Sequence, residues 1–184
     1  NDAADNFNVW EEGEMEYYKK DELRAKIEKI NELSGNIKEF SFRLQGPAKI
    51  DVEAGQFILV KVSEKHQMYR AYSIAGIEDD GALIKITVMR MTDGYGTSII
   101  FSDFVEGQEI ELKGPMGHEL VVDKDAENVM LVGGGIGITP FIPIVEDIVH
   151  NDNHINNAKL IYGVNEEDQF LYREFFEKMD AESE

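Results

Sequence analysis

The sequence predicts a β barrel plus α/β protein: a small antiparallel barrel of five or six strands, followed by an incomplete βαβα unit. Three observations carry this. Between Leu23 and Asp125, short apolar segments alternate at period two and are separated by closely spaced turn signals. After about Asp125 the pattern becomes a continuous apolar run, Val129–Val132 (VMLV), as in a parallel strand buried on both faces. Strand, helix, strand and helix then follow one another, and the sequence stops.

Residues 1–22 show no sustained period and many charges, and read as an acidic arm or linker with a short helical turn around Glu14–Lys20. In the barrel half, 23–125, Phe40, Phe42 and Leu44 alternate with polar neighbours, as one buried strand face should. Gln56–Val62 is an apolar strand entered from the turn residues Glu53, Ala54 and Gly55. Ala82, Ile84, Ile86 and Val88 repeat at period two behind Asp79-Asp80-Gly81, a hairpin signal. A short helix is expected near Thr97–Phe104. Ile110 and Leu112 mark another strand, closed by a turn at Gly114-Pro115-Met116-Gly117. In the second half, 126–184, the elements are a strand at Val129–Val132, a helix from about Pro140 to Val149, a strand at Lys159–Val164 and an amphipathic helix at Asp168–Met179. Two strands make a poor sheet, so this half reads as cut short. An uncovered strand edge and uncovered apolar helix faces are expected there.

Composition narrows the function. The chain has 184 residues, 42% of them hydrophobic, enough for a sizeable core. Its 18 basic residues face 37 acidic ones, a net charge of −19, which argues against nucleic acid or an anionic membrane as partner. There is no cysteine, which excludes a disulfide framework, a thiol nucleophile and a Cys-ligated metal or cluster within these residues. The four histidines fall in no metal-ligand pattern; His150 and His154 are four apart but sit in a turn-like stretch, so no metal site is expected. The apolar runs are too short to span a bilayer. No signal peptide is evident, the first residue is Asn, and the chain reads as a piece of a longer cytoplasmic polypeptide.

Three clusters could carry chemistry. Arg70-Ala71-Tyr72-Ser73, on a strand, offers a fixed cation, an aromatic plane and a hydroxyl. An Arg can grip a phosphate, a Tyr ring can stack on a flat heterocycle, and a Ser can reach a ring nitrogen. Alone, these four residues also suit an ordinary strand. Gly94-Tyr95-Gly96-Thr97-Ser98 is a glycine-rich turn entering a helix, whose first amides attract anions; it equally suits a plain helix cap. Gly133-Gly134-Gly135-Ile136-Gly137-Ile138-Thr139-Pro140 follows a buried strand and opens a helix, with Pro140 suited to the first helical position. Four glycines in five residues exceed what a tight turn needs. This loop is not the usual GxGxxG fingerprint, because Ile138 stands where the last Gly would be.

Taken in order, RAYSIAG, GYGTSII, KGPMGHEL, VMLVGGGIGITPF and YGVNEEDQFLYREFF resemble the ferredoxin–NADP reductase superfamily over about Leu23 to Met179. That resemblance implies a six-stranded antiparallel flavin-binding barrel over 23–125 and the N-terminal part of a NAD(P)-binding α/β domain over 126–184. It implies that Arg70 holds a flavin phosphate, Tyr72 packs on the isoalloxazine, and Ser73 hydrogen-bonds near the hydride-accepting nitrogen, so that Tyr72 and Ser73 are the catalytic candidates. Gly96, Thr97 and Ser98 would form the second phosphate motif, with Thr97 in place of the family's usual Ser. Backbone groups at Thr87 and Val88 would flank the nucleotide. Gly134, Gly135, Gly137, Thr139 and Pro140 would form the nicotinamide-side turn, with Thr139 between flavin and nicotinamide.

The implied cofactors are FAD rather than FMN, with NAD(P)H as electron donor; the Ile74-Ala75-Gly76 extension resembles the FAD-using branch. The implied function is a flavin-dependent oxidoreductase passing electrons from NAD(P)H to an acceptor protein, a partner subunit or a small redox acceptor. Two rivals stand beside it: a flavin-carrying electron-transfer subunit without its own complete NAD(P)H site, and a flavin-free interaction module. The family's α/β domain continues through further strands that grip the adenosine ribose, and these residues do not encode the choice between NADH and NADPH.

Overall fold

The computed structural model describes residues 22–45, 50–63, 65–151 and 155–183. The expected acidic arm (except Glu22), its turn at Glu14–Lys20, and His154 lie outside the described residues. Six strands close a barrel: β1 (Glu22–Ser34), β2 (Ile37–Gln45), β3 (Phe57–Ser63), β4 (Met68–Glu78), β5 (Leu83–Met89) and β6 (Glu109–Met116). Their order around the barrel is β1-β2-β5-β4-β3-β6, and each pairing is antiparallel. Closure pairs every described barrel strand with two neighbours over part of its length, and β4 and β5 are joined only from Ile74–Ile86 to Glu78–Leu83.

The alternation seen in the sequence is the barrel wall. Phe40, Phe42, Ile58, Val60, Ile84 and Ile86 all point into one core and are buried almost completely. Helix α1 (Tyr95–Asp103) lies between β5 and β6 and sends Ile100 into that core; Phe104, just past its end, meets Phe40 edge to face at 6.0 Å. Burying Phe or Ile side chains of this size contributes about 1.5–3 kcal/mol each.

The second lobe has β7 (Asn128–Gly134), α2 (Phe141–His150), β8 (Asn157–Gly163) and α3 (Arg173–Glu182), with β7 and β8 parallel in a two-stranded sheet. Its core joins Leu131, Ile138, Phe141, Ile144 and Leu171 to Ile37 of β2 and Met89 of β5. Ile37 and Met89 are directly opposite each other in the β2–β5 ladder, on the face turned away from the barrel interior. The second lobe is therefore packed onto the outer wall of the barrel.

Four expectations need correction. The stretch Gly114-Pro115-Met116 is not a turn but the end of β6, where Met116 pairs with Phe57; a register shift between Phe57 and Leu59 absorbs the irregularity. The first helix begins at Tyr95 rather than Thr97. The last helix begins at Arg173, because a separate short helical turn at Glu167–Gln169 precedes it. Strand β7 is buried on one face only: Leu131 is covered, whereas Met130 is 66% and Val132 64% exposed. Val132 is paired with Ile161 of β8, also exposed, so one face of this sheet is apolar and uncovered. Among the described residues, no helix is long and apolar enough to cross a membrane.

Candidate functional site

The site is built where the barrel wall parts. Strand β4 pairs with β3 from Met68 to Ser73, then with β5 from Ile74 to Glu78. The β4–β5 ladder ends at Ile74–Ile86, so among the described pairings Arg70–Ser73 and Thr87–Val88 diverge. This stretch, unpaired between the two strands, carries Arg70, Tyr72 and Ser73 on β4 and the backbone of Thr87 and Val88 on β5, the two lips of a candidate cleft. The side chain of Val88 is in the barrel core, which leaves only its backbone to face a ligand.

Tyr72 is half-buried against the core, and burial pushes its hydroxyl up to about 12, with the nearby Arg70 charge pulling the other way. It is a neutral ring with an apolar body and a polar tip, suited to lie against a flat heterocycle. Arg70 is exposed, and one guanidinium nitrogen donates to the Tyr69 carbonyl at 2.8 Å, which orients the group along the lip.

The second cluster meets the first. A side chain at Gly96 would press on Arg70, its Cβ 3.2 Å from both Cγ and Nε, so the bare backbone of Gly96 makes room for the arginine. Gly94 is the N-cap of α1, and the Ser98 amide makes the first helical bond, to the Gly94 carbonyl at 2.9 Å. The amides of Tyr95, Gly96 and Thr97 stand ahead of it in the first turn, beside Arg70. Guanidinium and helix start thus stand at one corner, an arrangement of charge and amides suited to an anion. The Thr97 hydroxyl is engaged locally: it donates to the Gly94 carbonyl and accepts from the Met91 amide, both at 3.2 Å. It braces the loop.

The glycine loop of the second lobe faces this barrel end. Its helical turn, Gly135–Ile138, packs against β5, and α2 packs against β4. The four glycines differ physically. A Cβ at Gly133 would stand 3.1 Å from the Phe141 ring, a packing constraint. At Gly135 and Gly137 a Cβ would meet nothing within 4 Å, so close packing does not account for them. Gly135 also has φ +52°, which favours glycine. Gly134 comes near only the Gly163 carbonyl, 3.9 Å away. Thr139 and Pro140 are buried; the Thr139 hydroxyl donates to the Ile136 carbonyl at 3.1 Å, and Pro140 precedes the first residue of α2 by one position.

One group escaped the sequence reading. The Tyr172 hydroxyl, at the N-cap of α3, donates to the Glu39 carboxylate at 3.0 Å and is also hydrogen-bonded to Thr87. Burial pushes it well above the usual phenol range, and the facing Glu39 charge adds to this. Nothing in the sequence links positions 39, 87 and 172.

Fold and cleft define a class: a barrel with an anion corner and a parted wall, faced by a glycine loop at the head of an α/β lobe. The family model of the oxidoreductase FAD-binding domain matches residues 24–120 and that of the oxidoreductase NAD-binding domain matches residues 131–184. The chain belongs to the oxidoreductase FAD-binding domain family, within the ferredoxin–NADP reductase superfamily. It is 32% identical over 141 residues to the dihydroorotate dehydrogenase B (NAD(+)) electron transfer subunit of Lysinibacillus sphaericus, covering 74% of this chain and 52% of that one. It is 26% identical over 160 residues to the reductase component of the naphthalene 1,2-dioxygenase system of Pseudomonas putida, covering 87% and 47%. Among solved structures it resembles a phthalate dioxygenase reductase, with TM-score 0.74 and 27% identity over 85% of this chain and 47% of that one. The chain spans about half the length of the curated relatives it matches.

FAD fits the residues present. The Gly96–Arg70 contact and the first amides of α1 give its diphosphate a positive, close-approach corner, and the parted strands give its ring a slot with an aromatic lip. The open backbone at Gly135 and Gly137 suits a second ligand arriving from the other lobe.

Proposed function

We propose that the protein is a flavin-dependent oxidoreductase that takes electrons from NAD(P)H through FAD to a protein or small redox acceptor. The observation that carries this reading is the parting of β4 from β5 beyond Ile74–Ile86, with the helical turn of the glycine loop packed against β5 and sharing a core with Met89 at that strand's end. The division of labour follows it, with 23–125 as the FAD half and 126–184 as the part that receives NAD(P)H. Arg70 and the first turn of α1 hold the diphosphate. Tyr72 packs against the isoalloxazine, and the Ser73 hydroxyl offers a hydrogen bond at the hydride-accepting nitrogen. Thr87 and Val88 flank the ring through backbone groups. Gly134, Gly135 and Gly137 let the nicotinamide approach the backbone, while buried Thr139 and Pro140 hold the loop to α2. When bound, FAD supplies the chemistry, accepting a hydride and passing its electrons on; this chain binds, orients and excludes water. A cytoplasmic setting, where reduced pyridine nucleotide is present, goes with this reading.

The names of the relatives support an acceptor protein as partner: one is an electron transfer subunit and the other a reductase component. The first also favours a second reading, in which the chain carries electrons within a larger complex. Anaerobic titration of the FAD-loaded protein with NADH and NADPH tests the main reading. Bleaching of the oxidised flavin band by one nucleotide is expected. Flavin that is bound but reduced only through an added partner chain would establish the second reading instead.

A further inference from the structure

We propose that Tyr172 is a positioning residue, a latch that holds the second lobe on the barrel at the height that places the glycine loop over the cleft. Its hydroxyl has one proton, donated to Glu39, so the Thr87 hydroxyl donates to the Tyr172 oxygen. Glu39 and Thr87 are directly opposite each other in the β2–β5 ladder. The latch therefore closes on a cross-strand pair whose spacing the barrel itself fixes. The other Glu39 oxygen accepts from Asn31 Nδ2 at 3.1 Å, so the carboxylate is held from two sides.

The rest of the lobe leads to this point. Gly133, at the start of the glycine loop, pairs with Tyr162 across β7 and β8. The Tyr162 hydroxyl accepts from the Leu171 amide at 3.3 Å, and the next residue is Tyr172. Leu171 is buried in the core that also contains Ile138 of the loop and Ile37 and Met89 of the barrel wall. Tyr172 adopts φ 58°, ψ 27°, a left-handed conformation rare for a bulky residue, and this conformation accompanies a ring packed on the shared core with its hydroxyl at the Glu39–Thr87 pair. Thr87 also lies on the cleft's second lip. One hydroxyl thus links the glycine loop, through β8, to the strand that would flank the flavin. The consequence for hydride transfer rests on the proposed function; the latch itself rests on these contacts alone.

The test uses the natural absence of cysteine. Spin labels at Glu109→Cys on β6 and Glu177→Cys on α3, both exposed positions, report the interlobe distance by pulsed EPR. Tyr172→Phe keeps the ring but removes the hydroxyl, and is expected to broaden the distance distribution. Thr87→Val, a milder variant, should broaden it as well, whereas Thr87→Ser and Glu39→Gln, which keep hydrogen-bonding partners, should leave it narrow. In the FAD-loaded chain, Tyr172→Phe should slow flavin reduction at saturating NAD(P)H by roughly tenfold while leaving reduction by dithionite unchanged. Distributions that stay narrow in both Tyr172→Phe and Thr87→Val would overturn the latch. A native chain whose flavin NAD(P)H cannot reduce would instead sink the proposed function, and the distances would still decide the latch.

Discussion

Arg70 and Gly96 are in contact across two elements: a Cβ at Gly96 would stand 3.2 Å from both Cγ and Nε of the arginine. A strand residue and a helix-start glycine, 26 positions apart, thus shape one corner. The strand brings a charge, the helix brings amides and a dipole, and the missing side chain leaves room between them, a combination suited to an anion.

Gly96→Ala should push Arg70 out of that corner with little effect on the barrel. FAD affinity is expected to fall by about tenfold, equivalent to about 1.4 kcal/mol. Gly35→Ala is the control, since a Cβ there meets nothing within 4 Å. Equal FAD dissociation constants for the two variants, by fluorescence titration, would show that the contact has no bearing on binding.

Arg70→Ala should weaken FAD binding more than Ser73→Ala. A charge-assisted contact to phosphate contributes about 1.5–3 kcal/mol, against roughly 0.5–1.5 kcal/mol for a neutral hydrogen bond. Ser73→Ala should instead slow flavin reduction by NAD(P)H, because its hydroxyl would face the reacting ring. Calorimetric titration with FAD ranks the two; the same affinity in both would refute the assigned roles.

How much of this was legible in the sequence depends on the range of the interaction. Phe40, Phe42 and Leu44, or Ile84, Ile86 and Val88, announce a strand because alternation is a local consequence of the pleat. The motif at Arg70–Ser73 and the glycine loop could be found for the same reason: each is a short run whose chemistry lies in adjacent residues. What failed depended on neighbours far along the chain. Gly114-Pro115 reads as a turn until Phe57 is known to pair with Met116. VMLV reads as doubly buried because hydrophobicity alone does not say which face has a partner, and here only that of Leu131 does. Tyr172 was invisible because its partners are 85 and 133 positions away.

Acid release should yield FAD as the flavin of the loaded protein. The family match and the run Ile74-Ala75-Gly76 after the Arg-Tyr-Ser motif both point to the dinucleotide. The corner at Arg70 and α1 offers more anion donors than a single phosphate needs. Chromatography of the released flavin decides; FMN as the sole product would contradict this.

Stability should decline in strong alkali, in part through two half-exposed phenols. Tyr72, through burial, and Tyr69, through burial and the facing Glu111, are both pushed up to about 12 from the ordinary 10.0. Phenols raised in the folded state keep their protons longer there than in the unfolded chain. Their contribution is whole below about 10 and is lost as pH climbs through about 12. Urea midpoints should therefore be insensitive to these groups below about pH 10 and fall above it. Tyr72→Phe should remove one late step from the tyrosinate absorbance titration; an unchanged late step would show that Tyr72 is not held in the neutral form.

The glycine loop allows packing and ligand approach to be separated within five residues. At Gly133 a Cβ would lie 3.1 Å from the Phe141 ring, so Gly133→Ala should disturb the seat of α2 and lower the melting temperature. At Gly137 a Cβ meets nothing within 4 Å and no left-handed φ opposes it, so Gly137→Ala should fold as well as the native chain or slightly better, by about 0.4–1 kcal/mol through a stiffer unfolded state. If that open backbone is where the nicotinamide approaches, the same methyl group stands in its path. Gly137→Ala should then reduce flavin normally with dithionite but several-fold more slowly with NAD(P)H. Native NAD(P)H kinetics in Gly137→Ala would mean that the loop's open side faces only solvent, and that the donor reaches the flavin by another route.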